Sequence, residues 1–235
     1  MKHKQIAIIT ARGGSKRIPK KNIKMFCGKP IMAYSIEIAL KSKLFDEVMV
    51  STDSEEIADI ARAYGASVPF MRSTETASDH ATTNDVLKEV FGKYIEMGYE
   101  LDRACCIYPT APFITTESLC QSYRLLDIEG VHMVNPIVKF SFPPQRSLVV
   151  DENGIIECLQ LDNRFVRSQD LRDVYHDCGQ YYWYDVPFFM EHDGIMDGYS
   201  AAYIIDELHA QDIDNEVDWE ISELKYEILQ RKGLL

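Results

Sequence analysis
IAIITARGGSKRIPKKN, at residues 6–22 of a 235-residue chain, joins two stretches of opposite character. Ile6, Ala7, Ile8, Ile9 and Ala11 make an apolar run that reads as a short buried parallel strand. Arg12, Gly13, Gly14 and Ser15 then form a turn, and Lys16, Arg17, Lys20, Lys21, Lys24 and Lys29 follow with no acid between them. Glycines let a backbone approach a ligand closely and aim its amides at it. The cations supply charge where a polyphosphate would sit. The chain as a whole carries a formal net charge of −12, so this basic island needs an anion to explain it. A solvated face, a nuclear-localisation signal and a nucleic-acid patch are the competing readings. A buried strand feeding the loop favours a phosphate-bearing small molecule, because α/β proteins present phosphate sites in this way. The spacing is neither that of a Walker loop nor the GxGxxG fingerprint.

Working outward, strand and helix patterns alternate. Pro30 opens a helix with Ile31, Tyr34 and Ile38 on one face, and residues 45–52 read as a second strand. Asp53 ends that strand, where open sheets place ligands, and is equally a candidate N-cap for a helix over 54–64. A short strand is expected over 66–70. Residues 82–97 form an amphipathic helix with Leu87, Val90, Phe91 and Tyr94 on one face. Residues 102–108 read as a central buried strand, stopped by Pro109-Thr110-Ala111-Pro112, and a helix follows over 115–126. This alternation predicts an α/β, doubly wound, mostly parallel sheet.

After a strand over 131–137 the pattern changes. Residues 140–150, 155–161 and 164–168 are short, turn-separated and rich in β-formers, with Asp151-Glu152-Asn153-Gly154 as a hairpin turn. A β-rich arm at about 140–175, inserted in a single domain spanning 1–235, is expected, since so short a piece cannot bury its own core. Residues 180–186 and 199–205 return to the sheet. A last helix over 217–232 places Ile221, Leu224 and Ile228 on one face, with Asn215 as its candidate cap.

The start of the chain has no apolar run of signal-peptide length, and no stretch is long enough to span a bilayer. Six cysteines occur without a C-x-x-C pair, and adjacent Cys105 and Cys106 sit in an apolar run. Free thiols in a reducing, cytoplasmic compartment are expected. The negative net charge argues against nucleic acid as a partner.

The run Ala11–Asn22 closely resembles the nucleotide-binding loop of the sialic-acid-type cytidylyltransferases, the synthetases that make CMP-activated nonulosonic acids. The related KDO cytidylyltransferases lack the Gly13-Gly14-Ser15-Lys16 run. Tyr-Pro-Thr-Ala-Pro at 108–112, Phe-Ser-Phe-Pro-Pro-Gln-Arg at 140–146, Arg-Ser-Gln-Asp-Leu at 167–171 and Asp177-Cys178-Gly179-Gln180 resemble the pseudaminic acid branch in particular. The resemblance covers nearly the whole chain. It implies a nucleotide-diphospho-sugar transferase-like fold with a dimerisation arm, and CTP plus a nonulosonic acid as substrates. CMP-N-acetylneuraminate and CMP-legionaminate synthesis are the alternatives. A KDO-type enzyme and a non-catalytic nucleotide-binding protein are the rivals outside that group.

It also implies roles. Ala11, Arg12, Gly13, Gly14, Ser15, Asn22, Arg72, Thr82 and Thr83 would bind the nucleotide, with Arg12, Lys16 and Lys21 on the triphosphate. Cytosine offers both donors and acceptors, which suits Asn22. Tyr108, Arg146, Arg167, Gln169, His176, Asp177 and Gln180 would bind the sugar. Tyr108 stands where sialate synthetases carry Gln. An arginine fork matches the sugar's carboxylate, and a surface ion pair is the plainer reading of Arg146 and Arg167. The arm would cross into the neighbouring subunit of a homodimer. Asp212 and Asp214, at i and i+2 on an extended segment, point to one side and can share Mg²⁺; a charged turn before the last helix is the alternative. The lysines of the island are expected to be solvated and to contribute little to folding.

Overall fold
The computed structural model describes residues 2–235. In chain order the main elements are β1 (Lys2–Thr10), β2 (Met25–Phe26), β3 (Lys29–Pro30), α1 (Ile31–Ser42), β4 (Glu47–Ser51), α2 (Glu55–Ala63), α3 (Thr83–Glu96), β5 (Tyr99–Ile107), α4 (Thr116–Arg124), β6 (Met133–Lys139), β7 (Leu148–Val150), β8 (Ile156–Cys158), β9 (Tyr175–Asp177), β10 (Tyr181–Asp185), α5 (Val186–Glu191), β11 (Ser200–Ile204) and α6 (Glu216–Lys232). The sheet runs β11-β6-β10-β5-β1-β4, with β9 beside β6. Along that path only β10 runs against its neighbours, so the sheet is mostly parallel.

Alternate residues of β1 explain the layering. Ala7 and Ile9 face one core with α1, α2 and α4, through Met32, Ile36, Ile57 and Leu119. Ile6 and Ile8 face the other, with Val86, Leu87, Val90, Phe91 and Tyr94 of α3 and Phe189 of α5. Both faces are covered, as a continuous apolar strand requires. Cys105 and Cys106 of β5 are wholly buried between these layers, and all six cysteines are free thiols.

A third, smaller core positions the site. Ile18 and Phe26 of the basic loop pack with Ile31, Tyr34, Phe113, Ile213, Trp219, Tyr226 and Leu229. Phe26 meets Tyr34, Trp219 and Tyr226 edge-on at centroid distances of 5.5–5.6 Å. Such pairs add about 0.5–1.5 kcal/mol each beyond burial. Cys27 and Gly28, both at positive φ, form the two-residue turn between β2 and β3. This cluster clamps the C-terminal helix to the loop that follows β1.

Several sequence expectations are corrected. Residues 66–70 form no strand; Ser67 makes only an isolated parallel bridge to Met49. Residues 164–168 are turns, not β-structure. On α6 the face holding Ile221 and Leu224 is exposed, and Trp219, Ser222, Tyr226 and Leu229 are buried instead. The large aromatics outweigh the aliphatic spacing, because each buries more surface. Asn215 caps α6 in a capping box with Asp218, as expected. In the 140–175 region β7 and β8 make a two-stranded hairpin apart from the main sheet.

Candidate active site
The chain passes from β1 to β4 on one side and returns across β1 to β5 on the other. The carboxyl ends of β1 and β5 therefore flank a topological switch point, where α/β sheets bind ligands. A cavity of about 450 Å³ opens there, lined among others by Arg12, Lys16, Lys21, Asn22, Arg72 and Tyr108. Ser15, Thr82 and Thr83 also line it. Ala11 is buried beneath it, with its amide on Ser51 O at 3.0 Å.

The loop is held open by its own contacts. Gly13 N donates to Asp53 Oδ1 at 2.8 Å, and Asn22 Nδ2 donates to Arg12 O at 2.9 Å. A Cβ on Gly13 would lie 3.2 Å from Ser54 Cβ, so a side chain at this position would press on the residue that caps α2. Ser54, not Asp53, caps α2, which leaves Asp53 free to fix the loop. Arg72 is buried beside it, donating through Nε to Ser51 Oγ at 3.0 Å and through Nη2 to Ser51 O at 2.7 Å. Burial lowers its pKa, and Asp53 is the main opposing influence. Thr82 spends its hydroxyl on the α3 capping box. Thr83 Oγ1 lies 3.1 Å from the Tyr108 hydroxyl. Tyr108, expected at the sugar, thus lines this cavity with Arg72 and Thr83, edge-on to Tyr182.

The acidic pair reaches the same place from the other end of the chain. Ile213 is fully buried in the third core, so Asp212 and Asp214 turn outward together. Lys21 Nζ donates to Ile213 O at 2.6 Å and lies 4.0 Å from Asp214 Oδ1, while Arg17 pairs with Asp214 at 2.8 Å. Lys21 is not the solvated lysine expected: its side chain is 20% exposed, and burial lowers its pKa despite Asp214 and Asp212. The pKa of Asp212 is raised, first by burial and then by Asp214. Among the described residues no three His, Cys, Asp or Glu side chains gather as a metal cage.

Gly179 abuts Asp212, and beyond it a second cavity of about 330 Å³ is lined by Lys139, Ser141, His176, Asp177, Asp212 and Lys225. His176 is exposed there, against the Phe140 ring. Asp177 shapes the turn, accepting from Gly179 N at 2.6 Å and the Tyr182 hydroxyl at 2.7 Å. Gln180 does not join them; it is buried, with its amide on His209 O. Arg146 lies under the hairpin and reaches Ser168 Oγ at 3.3 Å, while Arg167 and Gln169 are exposed on the arm. Within one chain these three line neither cavity. Thr76, Ser78, Lys139 and Lys225 were not singled out from sequence. The hydroxyl-rich run RSTETASDHATT is the one signal pointing to the first two.

A doubly wound α/β domain with a cation-rich glycine loop at its switch point, facing a carboxylate pair, defines a nucleotide-binding enzyme of the nucleotidyltransferase class. The cytidylyltransferase family model matches residues 6–142. Over 225 residues the chain is 36% identical to a pseudaminic acid cytidylyltransferase of Campylobacter jejuni, covering 96% of this chain and 97% of that protein. It is 29% identical to a CMP-N,N'-diacetyllegionaminic acid synthase of Legionella pneumophila, covering 96% and 97%. Among solved structures, a CMP:2-keto-3-deoxy-manno-octonic acid synthetase complexed with CTP shares the fold, with a TM-score of 0.68 at 18% identity, covering 97% of this chain and 99% of that one. The chain belongs to the cytidylyltransferase family. No helix among the described residues is long and apolar enough to cross a membrane.

Proposed function
We propose that this cytidylyltransferase activates pseudaminic acid with CTP, giving CMP-pseudaminic acid and pyrophosphate. The observation that carries the reading is the 36% identity to a pseudaminic acid cytidylyltransferase along almost the entire length of both chains. The full-length legionaminate relative favours CMP-legionaminate synthesis as the second reading.

The sugar's C2 hydroxyl attacks the α-phosphate in line, and pyrophosphate departs. Arg12, Lys16 and Lys21 hold the triphosphate and offset the charge that builds on the leaving group. Arg72 and Asn22 face the cytosine, with Thr83 and Tyr108 on the wall beside it. The cavity holding His176 and Lys139 is the seat for the sugar, adjoining the nucleotide through Asp212. Asp212 and Asp214 suit a divalent cation: their charges crowd one another, and Arg17 and Lys21 beside Asp214 mark the pair as a seat for positive charge. Mg²⁺ takes one or two carboxylates with phosphate oxygens and water, and when bound it neutralises the phosphates and eases loss of the hydroxyl proton.

The arm completes the reading. Leu148, Val150, Ile156, Leu161 and Phe165 are all exposed, Phe165 at 89%. Soluble monomers rarely leave so large an apolar patch uncovered. A two-fold partner that exchanges arms would bury it and bring Arg167 to the neighbouring sugar seat. The test is pyrophosphate release with CTP against a panel of nonulosonic acids. Release with pseudaminic acid above all others is expected; release only with another member moves the assignment to that sugar, and none with any member removes it.

A further inference from the structure
The phosphate loop is already occupied by an acid of this chain. Arg12 Nη1 donates to Asp79 Oδ1 at 2.8 Å and to Ser78 O at 3.3 Å, and Lys16 Nζ donates to Asp79 Oδ2. These two cations, Lys16 first, hold the Asp79 carboxyl below the usual carboxylate range. Both line the nucleotide cavity, as does Ser78 next to Asp79.

The segment carrying Asp79 is fastened to α3 at its two ends, and its tip is a turn bonded within itself. At its start, Glu89 of α3 accepts from Ser73 N at 2.9 Å, from Ser73 Oγ at 2.8 Å and from Thr76 Oγ1. At its end, Thr82 and Asp85 close the capping box of α3. Between them the tip is bonded within its own segment, by Ala77 N to Ser73 O at 3.0 Å and Ser78 Oγ to Glu75 O at 2.8 Å, with longer turn bonds from Ser78 N to Glu75 O and Ala81 N to Ser78 O at 3.4 Å. The bonds that hold the tip across the cavity are those of Arg12 and Lys16 to Asp79 and of Arg12 to Ser78 O. The tip is therefore tied down by the same charges that a triphosphate takes. A carboxylate and a phosphate repel one another at such range, so they cannot share Arg12 and Lys16.

We propose that Asp79 is an internal counter-ion of the triphosphate seat, which neutralises Arg12 and Lys16 in the empty site, is displaced by the nucleotide's phosphates, and reclaims both cations as pyrophosphate leaves. The proposal rests on the CTP reading above. Asp214 also engages loop cations, Arg17 and Lys21, but it belongs to the metal-binding pair. Asp79 has no such second task. A tethered carboxylate competes at high effective concentration, so it weakens every ligand that needs these cations and leaves phosphate-free ligands alone. The same competition keeps pyrophosphate from lingering in the site.

The test measures binding of CTP, inorganic pyrophosphate and cytidine to the full chain by calorimetry, in wild type, D79N and D79E. Two exposed ion pairs are at stake, so D79N is expected to bind CTP and pyrophosphate about fivefold tighter. Cytidine affinity should not move, and D79E should restore wild-type values. Asp79 is accessible and D79N keeps its shape, and circular dichroism melting verifies the fold. If D79N binds CTP equally or more weakly while wild type binds it, Asp79 merely ties the loop and this proposal alone falls. A wild type that binds no CTP removes the nucleotide reading and the proposal together.

Discussion

Replacing Lys21 with Met tests whether one side chain joins the two halves of the site. Lys21 reaches across 192 residues of sequence to donate to Ile213 O at 2.6 Å. Its attraction to Asp214, 4.0 Å away and 41% exposed, is screened by solvent to about 1 kcal/mol or less. That attraction does not win, because burial still lowers the lysine's pKa from 10.5. The charge itself therefore adds no net stability, and the hydrogen bond to the carbonyl does. A hydrogen bond from a charged donor is worth about 1.5–3 kcal/mol. A loss of about 2 kcal/mol lowers the melting temperature of a chain this size by about 4–8 °C. The sign of the pH effect follows from the same shift. Between the lowered folded pKa and 10.5 the unfolded chain binds more protons, so wild-type stability rises with pH across that window. In Lys21→Met that rise should vanish. Turnover should fall about 100-fold, as when one charge-stabilising donor is removed elsewhere. Calorimetric melting between neutral and alkaline pH, with pyrophosphate release, reads all three effects. A variant that melts like wild type would show that the bridge holds nothing, and unchanged CTP kinetics would return the basic island to a surface patch.

Asp212→Asn should abolish turnover without lowering stability. Because its folded pKa is raised above 3.8, the native state holds the proton longer and stability declines as pH rises through that pKa; full activity at ordinary Mg²⁺ would remove Asp212 from the mechanism. Gly13→Ala should raise the KM for CTP and cost about 1 kcal/mol, since the new methyl meets Ser54 Cβ at 3.2 Å; wild-type kinetics and unfolding midpoint would show that the loop yields freely. Mixing Arg167→Ala subunits with Lys21→Ala subunits should restore activity in one hybrid site. A fully active monomer by light scattering would leave each arm with its own chain.

What could be read from the sequence divides along the line between local and long-range physics. The β1 strand, the α3 face and the Asn215 cap each follow from residues within one or two turns of each other, and the structure places them as read. The α6 face did not follow from spacing. Ile221 and Leu224 fit a helical stripe, but the pocket formed by Phe26, Tyr34 and Phe113 selects Trp219 and Tyr226. Those partners come from three distant segments, and no window of sequence contains them. The basic loop was legible because its charge contrasts with an acidic chain. Asp79 was not, since an acid in a polar loop looks like any other until Arg12 and Lys16 are seen on it.

The two ends of the chain meet for a physical reason that also orders their function. Ile18, in the middle of the basic loop, is fully buried against a core that includes Ile213 and Trp219. Burying a side chain of that size is worth about 1.5–3 kcal/mol relative to exposure. The apolar contact, not the charges around it, therefore fixes how closely the loop approaches the acidic pair. The cations can then exchange partners without the site coming apart. Arg17 and Lys16 are both more than half exposed and change partners at little cost, whereas Lys21 is half-buried and tied to a backbone carbonyl. A site that must take up a highly charged nucleotide and release a highly charged product needs this division. Apolar packing and one anchored lysine hold the geometry, and the mobile charges handle the traffic.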